Sequence, residues 1–166
     1  KRAERRIEDL ATRDPLTGLP NRLLLQDRLQ QGIANAGRAG EMLAVMFIDL
    51  DHFKLLNDRY GHSGGDDVLT RFVQFVQLNI RPTDFLFRLG GEEFGAVLCS
   101  AGPDKAIALA ERIRIAFAEA ASEVDGRPVV ATVSIGVVVG NGQSAGIPDL
   151  LGQADQALYQ ERARRT

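Results

Sequence analysis

The sequence predicts an α+β domain in which helices surround a mixed β-sheet that has an antiparallel hairpin at its centre. Three observations carry this expectation. Leu43 to Leu50 (LAVMFIDL) is a near-continuous apolar run of strand length, the pattern of a central strand buried on both faces. Three other stretches step their large apolar residues by about four, as helices do. Two short strands, Phe85–Leu89 and Phe94–Cys99, flank Gly90-Gly91-Glu92-Glu93, which reads as a hairpin turn.

Residues 1–13 are mostly charged, with Ile7, Leu10 and Ala11 on one stripe, and predict a helix. That helix either pairs with a partner or stands as a solvated arm. Asp14 to Pro20 (DPLTGLP) is dense in turn residues and breaks it. Leu25, Leu29 and Ile33 give a helix over 21–36, ended by Gly37 to Gly40. After the strand at 43–50, residues 51–67 read as loop-like, and Val68, Phe72, Val76 and Ile80 give a helix from about 63 to 80. Pro103 and Asp104 open a helix running to about 121, with Ile113 and Phe117 inward. Val129 to Val139 is a long β-branched strand, and 148–164 a last helix.

At 166 residues, with 45% hydrophobic and 25% charged, the chain has one domain's worth of sequence and a composition that excludes disorder. No apolar run approaches the ~18 residues of a membrane span. One cysteine, Cys99, and two histidines exclude an internal disulfide and the usual zinc sites. A reducing, cytoplasmic compartment is expected. The chain starts at Lys1 without a Met or a signal-like segment, so a piece of a longer protein is expected too. The net charge of −2 hides termini at +3 (residues 1–6) and +2 (161–166) around a body at −7. An acidic body argues against a nucleic-acid polymer as partner, though not against one nucleotide arriving with a divalent ion.

Acids stand where acids are disfavoured. Asp49 and Asp51 lie two apart, and so on one face, at the C-terminal end of the most hydrophobic strand. Glu92 and Glu93 occupy the tight turn opened by Gly90 and Gly91. If the hairpin lies beside the first strand these carboxylates converge, and like charges that close call for a cation, with Mg²⁺ the natural occupant. Taken singly, each acid also reads as an ordinary solvated turn residue. In the loop-like stretch after the strand, Lys54, Asn57, His62 and Asp66 suit phosphate and a guanine edge, while Ser63 or Asp66 suits a helix cap equally well. Gly140 to Ala145 imitates a dinucleotide fingerprint but lacks the following strand and acid, so it is expected to be a loop. No P-loop occurs.

In several co-linear motifs the sequence resembles the GGDEF family of diguanylate cyclases, over about residues 14–163. Asp14-Pro15-Leu16-Thr17-Gly18-Leu19-Pro20-Asn21-Arg22 resembles the family's opening turn, and Asp49 to Lys54 with Asn57-Asp58 its metal and phosphate segment. Gly61-His62 with Gly65-Asp66 resembles its guanine-side turn. Gly90-Gly91-Glu92-Glu93-Phe94 is its signature hairpin in the GGEEF form. Ser134-Ile135-Gly136, Ala154-Asp155 and Ala157-Leu158-Tyr159 complete the order.

The resemblance implies a nucleotidyl cyclase or palm-like fold, with 1–13 a linker helix and 14–166 the catalytic domain. It implies condensation of two GTP into cyclic di-GMP and two pyrophosphates across a homodimer. Asp49, the Leu50 carbonyl and Glu92 would hold Mg²⁺, with Mn²⁺ as a substitute; Glu92, or Glu93 in its place, would take the hydroxyl proton. Asn57 and Asp66 would read guanine beside His62, while Phe53, Lys54, Gly91 and Arg162 would lie at the substrate. Arg81-Pro82-Thr83-Asp84, five residues before Gly90, matches the family's RxxD inhibitory site for product, with Arg112 as its second arginine. An upstream sensor domain is implied, in a cytoplasmic protein or the cytosolic part of a membrane-attached one. The family's Tyr-x-Ala-Lys-x-x-Gly is altered here, with Glu161, Arg162 and Arg165 in place of Ala, Lys and Gly. That change keeps open a second expectation, a catalytically weak module that binds GTP or cyclic di-GMP and regulates a neighbouring domain. A dimerisation domain without a ligand is the third.

Overall fold

The computed structural model describes residues 1–120, 122–124, 126–141 and 147–165. Its elements in chain order are α1 (Arg2–Thr12), α2 (Arg22–Ala39), β1 (Met42–Leu50), α3 (Phe53–Asn79), β2 (Phe85–Gly90) and β3 (Glu93–Cys99), then α4 (Pro103–Glu119), β4 (Ser122–Val124), β5 (Arg127–Val129), β6 (Val133–Asn141) and α5 (Ile147–Arg165). The main sheet has the order β2-β3-β1-β6. Each of its pairings is antiparallel, where a mixed sheet was expected. The reason lies in the crossovers. β1-α3-β2 and β3-α4-β6 each skip one strand, so parallel partners never become neighbours, as in a split β-α-β arrangement.

β1 shows how the layers form. Ala44, Met46, Ile48 and Leu50 point into a core shared with α3 and α4, including Phe72, Phe94, Ile113 and Phe117. Leu43, Val45 and Phe47 point to the opposite core, with Leu25 and Leu29 of α2 and Leu150, Ala154 and Leu158 of α5. Two-fold alternation along one strand thus supplies both faces of an α/β/α sandwich. α5 comes unusually close to the sheet: a Cβ on Gly136 would stand 2.2 Å from the Leu158 nitrogen.

Two expectations are corrected. Residues 51–67 are not a loop, because α3 starts at Phe53. Phe53, Leu56 and Tyr60 supply a helical apolar stripe against the core. The helix breaks at Gly61 (φ 75°, ψ 172°), which bends it into two segments. The strand expected over 129–139 is two strands. β5 ends at Val129 and pairs with β4 in a small hairpin, and β6 begins at Val133. Val124 of that hairpin packs on Gly64 of α3. The segment Gly140 to Ala145 lies outside the described residues from 142 onward; Gly140 and Asn141 end β6. Ile7 and Leu10 of α1 are exposed, and no described helix is long and apolar enough to cross a membrane.

Candidate active site

Asp49 continues the row Leu43, Val45, Phe47, so its side chain falls on the α5 face at the end of β1. It is only 2% exposed. Glu93 of β3 stands opposite it on one side and Ser134 of β6 on the other. Burial pushes its carboxyl up to about 6; Arg162 opposes the rise and the negative fields of Glu92, Glu93 and Asp51 add to it. Arg162 reaches Oδ2 at 2.8 Å, yet neither carboxylate oxygen receives a hydrogen bond. Asp51 points elsewhere, accepting hydrogen bonds from the Thr132 hydroxyl at 2.8 Å and the Ser134 hydroxyl at 2.6 Å.

The β2–β3 turn brings the glutamates to this carboxylate. Gly91 has φ 44°, a left-handed conformation that a side chain would strain, and it lets the two-residue turn close. The Leu50 N–H donates to the Glu92 carbonyl at 3.3 Å and fastens the turn to the end of β1. Arg88 holds the turn from behind. Its guanidinium donates to the Gly91 carbonyl at 2.8 and 3.0 Å and to both Asp14 oxygens at 3.0 Å. Asp14 also accepts from the backbone and hydroxyl of Thr17, and these bonds together with Arg88 hold its carboxyl below the usual range despite burial. The DPLTGLP turn is thereby part of the hairpin's support. Its spacing in sequence, 74 residues from Arg88, gave no signal of that contact.

The bend in α3 joins the residues expected at the base. A Cβ on Gly65 would lie 1.9 Å from Asn57 Oδ1, so the two segments meet there, one residue from Asp66. Asn57 Oδ1 is buried and has no hydrogen-bond partner. Asp66, His62 and Lys54 are exposed. The Phe53 ring, by contrast, is 9% exposed and part of the core, which leaves its backbone, at the start of α3, to meet a ligand. His52 precedes that helix with φ 55° and caps it with no side-chain hydrogen bond, the kind of amide-rich start that attracts anions.

These donors fit a magnesium ion that arrives with phosphate. Among the described residues no group of three His, Cys, Asp or Glu side chains could hold a metal alone. The candidate set is Asp49, Glu92 and the Leu50 carbonyl, and two carboxylates completed by phosphate oxygens are what this ion ordinarily takes. A buried carboxylate with both oxygens free of hydrogen bonds is otherwise costly, and a hard cation satisfies it.

A second polar site lies on the far side of the domain. Arg81, Asp84 and Arg112 line one cavity of about 380 Å³ together with Asn79, Lys105 and Leu109. Asp84, 8% exposed, accepts from the Arg81 backbone N–H at 3.0 Å and the Cys99 N–H at 3.2 Å. The Arg81 guanidinium pairs with it at 3.4 Å and also donates to the Cys99 carbonyl. Arg112 donates to the Asn79 carbonyl at 3.2 Å. Lys105, absent from the expected set, adds a third cation.

Fold and site together define a domain of the palm-like type, with acids at one strand end and a glycine turn beside them. The family model described as "Diguanylate cyclase, GGDEF domain" matches residues 11–166, and the chain belongs to that family. It is 41% identical to diguanylate cyclase DgcP of Pseudomonas aeruginosa over 155 residues, which are 93% of this chain and 23% of that protein. It is 38% identical to diguanylate cyclase DosC of Escherichia coli, covering 91% of this chain and 33% of that one. The chain thus spans about a quarter to a third of the length of these relatives. The crystal structure of the coiled coil and GGDEF domain of DgcB from Caulobacter crescentus, in complex with c-di-GMP, matches with a TM-score of 0.87 at 26% identity. That match covers 98% of this chain and 86% of the other.

Proposed function

We propose that this domain condenses two GTP into cyclic di-GMP, releasing two pyrophosphates, with one GTP carried by each of two copies placed face to face. The observation that carries the reading is Asp49, buried and free of hydrogen bonds, with the Glu92–Glu93 turn fastened beside it. Asp49, Glu92 and the Leu50 carbonyl hold Mg²⁺, or Mn²⁺ in its place. When bound, that ion lowers the pKa of the attacking 3′-hydroxyl and neutralises charge on the departing pyrophosphate. Glu92, or Glu93 beside it, accepts the hydroxyl proton. Asn57 and Asp66 hydrogen-bond the guanine, with His62 at the rim of that pocket. The Phe53 and Lys54 amides, the Lys54 ammonium, Gly91 and Arg162 bind phosphates.

Arg81, Asp84 and Arg112 form a product site, where arginine forks bind the phosphates of cyclic di-GMP and limit turnover. Residues 1–13 are a linker from a sensor domain to the catalytic domain at 14–166, in the cytoplasm. Incubation with GTP and Mg²⁺ followed by chromatography tests the activity, and cyclic di-GMP is the expected product. Nucleotide binding without product identifies a regulatory module instead, the reading favoured by Arg162 in place of the lysine of the motif that this helix resembles.

A further inference from the structure

We propose that Arg162 is the resting counter-ion of Asp49, and that this guanidinium and a divalent cation exclude each other there, so that metal loads with the nucleotide and not before it. The inference rests on the reading of Asp49 as a metal ligand. It concerns a feature of this chain, an arginine at the position.

The argument starts from access. Asp49 is closed in by its sheet neighbours Glu93 and Ser134, and its α5 side is covered by Arg162. Three further carboxylates, Glu92, Glu93 and Asp51, bear on the same spot. A cation is therefore required at the site, and Arg162 meets that requirement from within the chain. A metal ion at Asp49 would stand beside the guanidinium, and like charges at that range repel strongly.

The contact is built to be released. Although Arg162 comes within 2.8 Å, it makes no hydrogen bond to either oxygen, unlike the two-pronged arginine–carboxylate pairs that lock structures. Its side chain is 54% exposed, so the head has solvent to swing through. The helix beneath is fixed: Leu158, one turn earlier, is buried and its backbone lies against Gly136. The side chain can thus leave Asp49 without moving α5, and a triphosphate offers it a better-matched bidentate partner.

Two effects of opposite sign follow. Without Arg162, metal alone should bind better and nucleotide alone should bind worse. Mn²⁺ titrations without nucleotide, read by the electron paramagnetic resonance of the free ion, test the first. Arg162→Gln is expected to tighten Mn²⁺ binding about tenfold, Arg162→Lys to fall between, and adding Asp49→Asn to abolish the gain. In chelator, GTP binding to Arg162→Gln should weaken severalfold. If Arg162→Gln binds Mn²⁺ as the wild type does while Asp49→Asn loses it, exclusion is wrong and the metal assignment stands. If Arg162→Gln binds Mn²⁺ more tightly than the wild type and adding Asp49→Asn leaves that gain intact, the metal assignment itself fails. Circular dichroism of each variant verifies folding, and Arg162→Lys keeps the test open should Arg162→Gln not fold.

Discussion

Replacing Gly65 by alanine separates the nucleotide pocket from the stability of the fold. The new methyl would sit 1.9 Å from Asn57 Oδ1 and 3.1 Å from Phe53 Cζ, so Asn57 must rotate away and the ring must give by a few tenths of an ångström. Moving Asn57 costs little, since its buried oxygen has no partner to lose. Alanine in place of a helical glycine returns about 1 kcal/mol. The two effects oppose, and the midpoint of thermal unfolding should stay within about 3 °C of the wild type. Binding should not be spared. Loss of one or two base hydrogen bonds costs roughly 1–3 kcal/mol, about 5- to 150-fold in GTP affinity. Titration calorimetry with GTP and with ATP reads both the loss and its specificity, and the preference for GTP should shrink. Unchanged GTP affinity would remove Asn57 from the base site. An equal loss for both nucleotides would assign the effect to general distortion.

Four more outcomes are expected. Glu92→Gln should cut cyclic di-GMP production at least about 100-fold with an unchanged circular dichroism spectrum; wild-type turnover would take Glu92 out of the metal set. Arg81→Ala should abolish inhibition by added cyclic di-GMP without raising the uninhibited rate, and persisting inhibition would reduce the RPTD turn to architecture. Because the folded chain holds the Asp49 proton up to about pH 6 and the unfolded chain only to about 3.8, its contribution to metal-free stability is full below pH 4 and lost as pH rises through 6. Asp49→Asn should flatten that fall and gain on the order of 2–3 kcal/mol at pH 7, read as a rise of several degrees in the unfolding midpoint. Gly136→Ala drives a methyl into the backbone of Ala157 and Leu158, at 2.6 and 2.2 Å. It should cost about 1–3 kcal/mol, or about 3–10 °C, and a wild-type midpoint would show that α5 docks less closely than described.

Much of this was legible because short-range patterns and burial agreed. LAVMFIDL could only be a central strand, and the Gly-Gly turn could only be tight, so their acids had few places to go. The start of α3 was not legible in the same way. Gly61, Ser63, Gly64 and Gly65 dilute the helical pattern with turn residues, and Phe53, Leu56 and Tyr60 carry its apolar stripe ahead of the break. The hairpin at 122–129 is too short to leave a periodic trace, and it is held by packing of Val124 on Gly64. Strand direction was misjudged because it depends on which strand each crossover skips, a tertiary choice that local sequence does not encode.

The long-range ion pairs belong to that same tertiary layer, and they turn a sheet edge into a site. Nothing near Asp14 or Arg88 announces the other, yet together they clamp the Gly91 carbonyl and so fix where Glu92 and Glu93 stand. Arg162 depends on α5 touching β6, which depends in turn on Gly136 having no side chain. Removing a supporting contact should therefore act on the acids at a distance. An Asp14→Asn change, two residues past the end of α1 and far from the carboxylates in the chain, weakens the hold on the β2–β3 turn through Arg88. Its effect should appear in turnover with little change in GTP affinity, because Asn57 and Asp66 are positioned by α3 and not by the hairpin. Equal losses in both would mean that the hairpin and the base pocket move as one body.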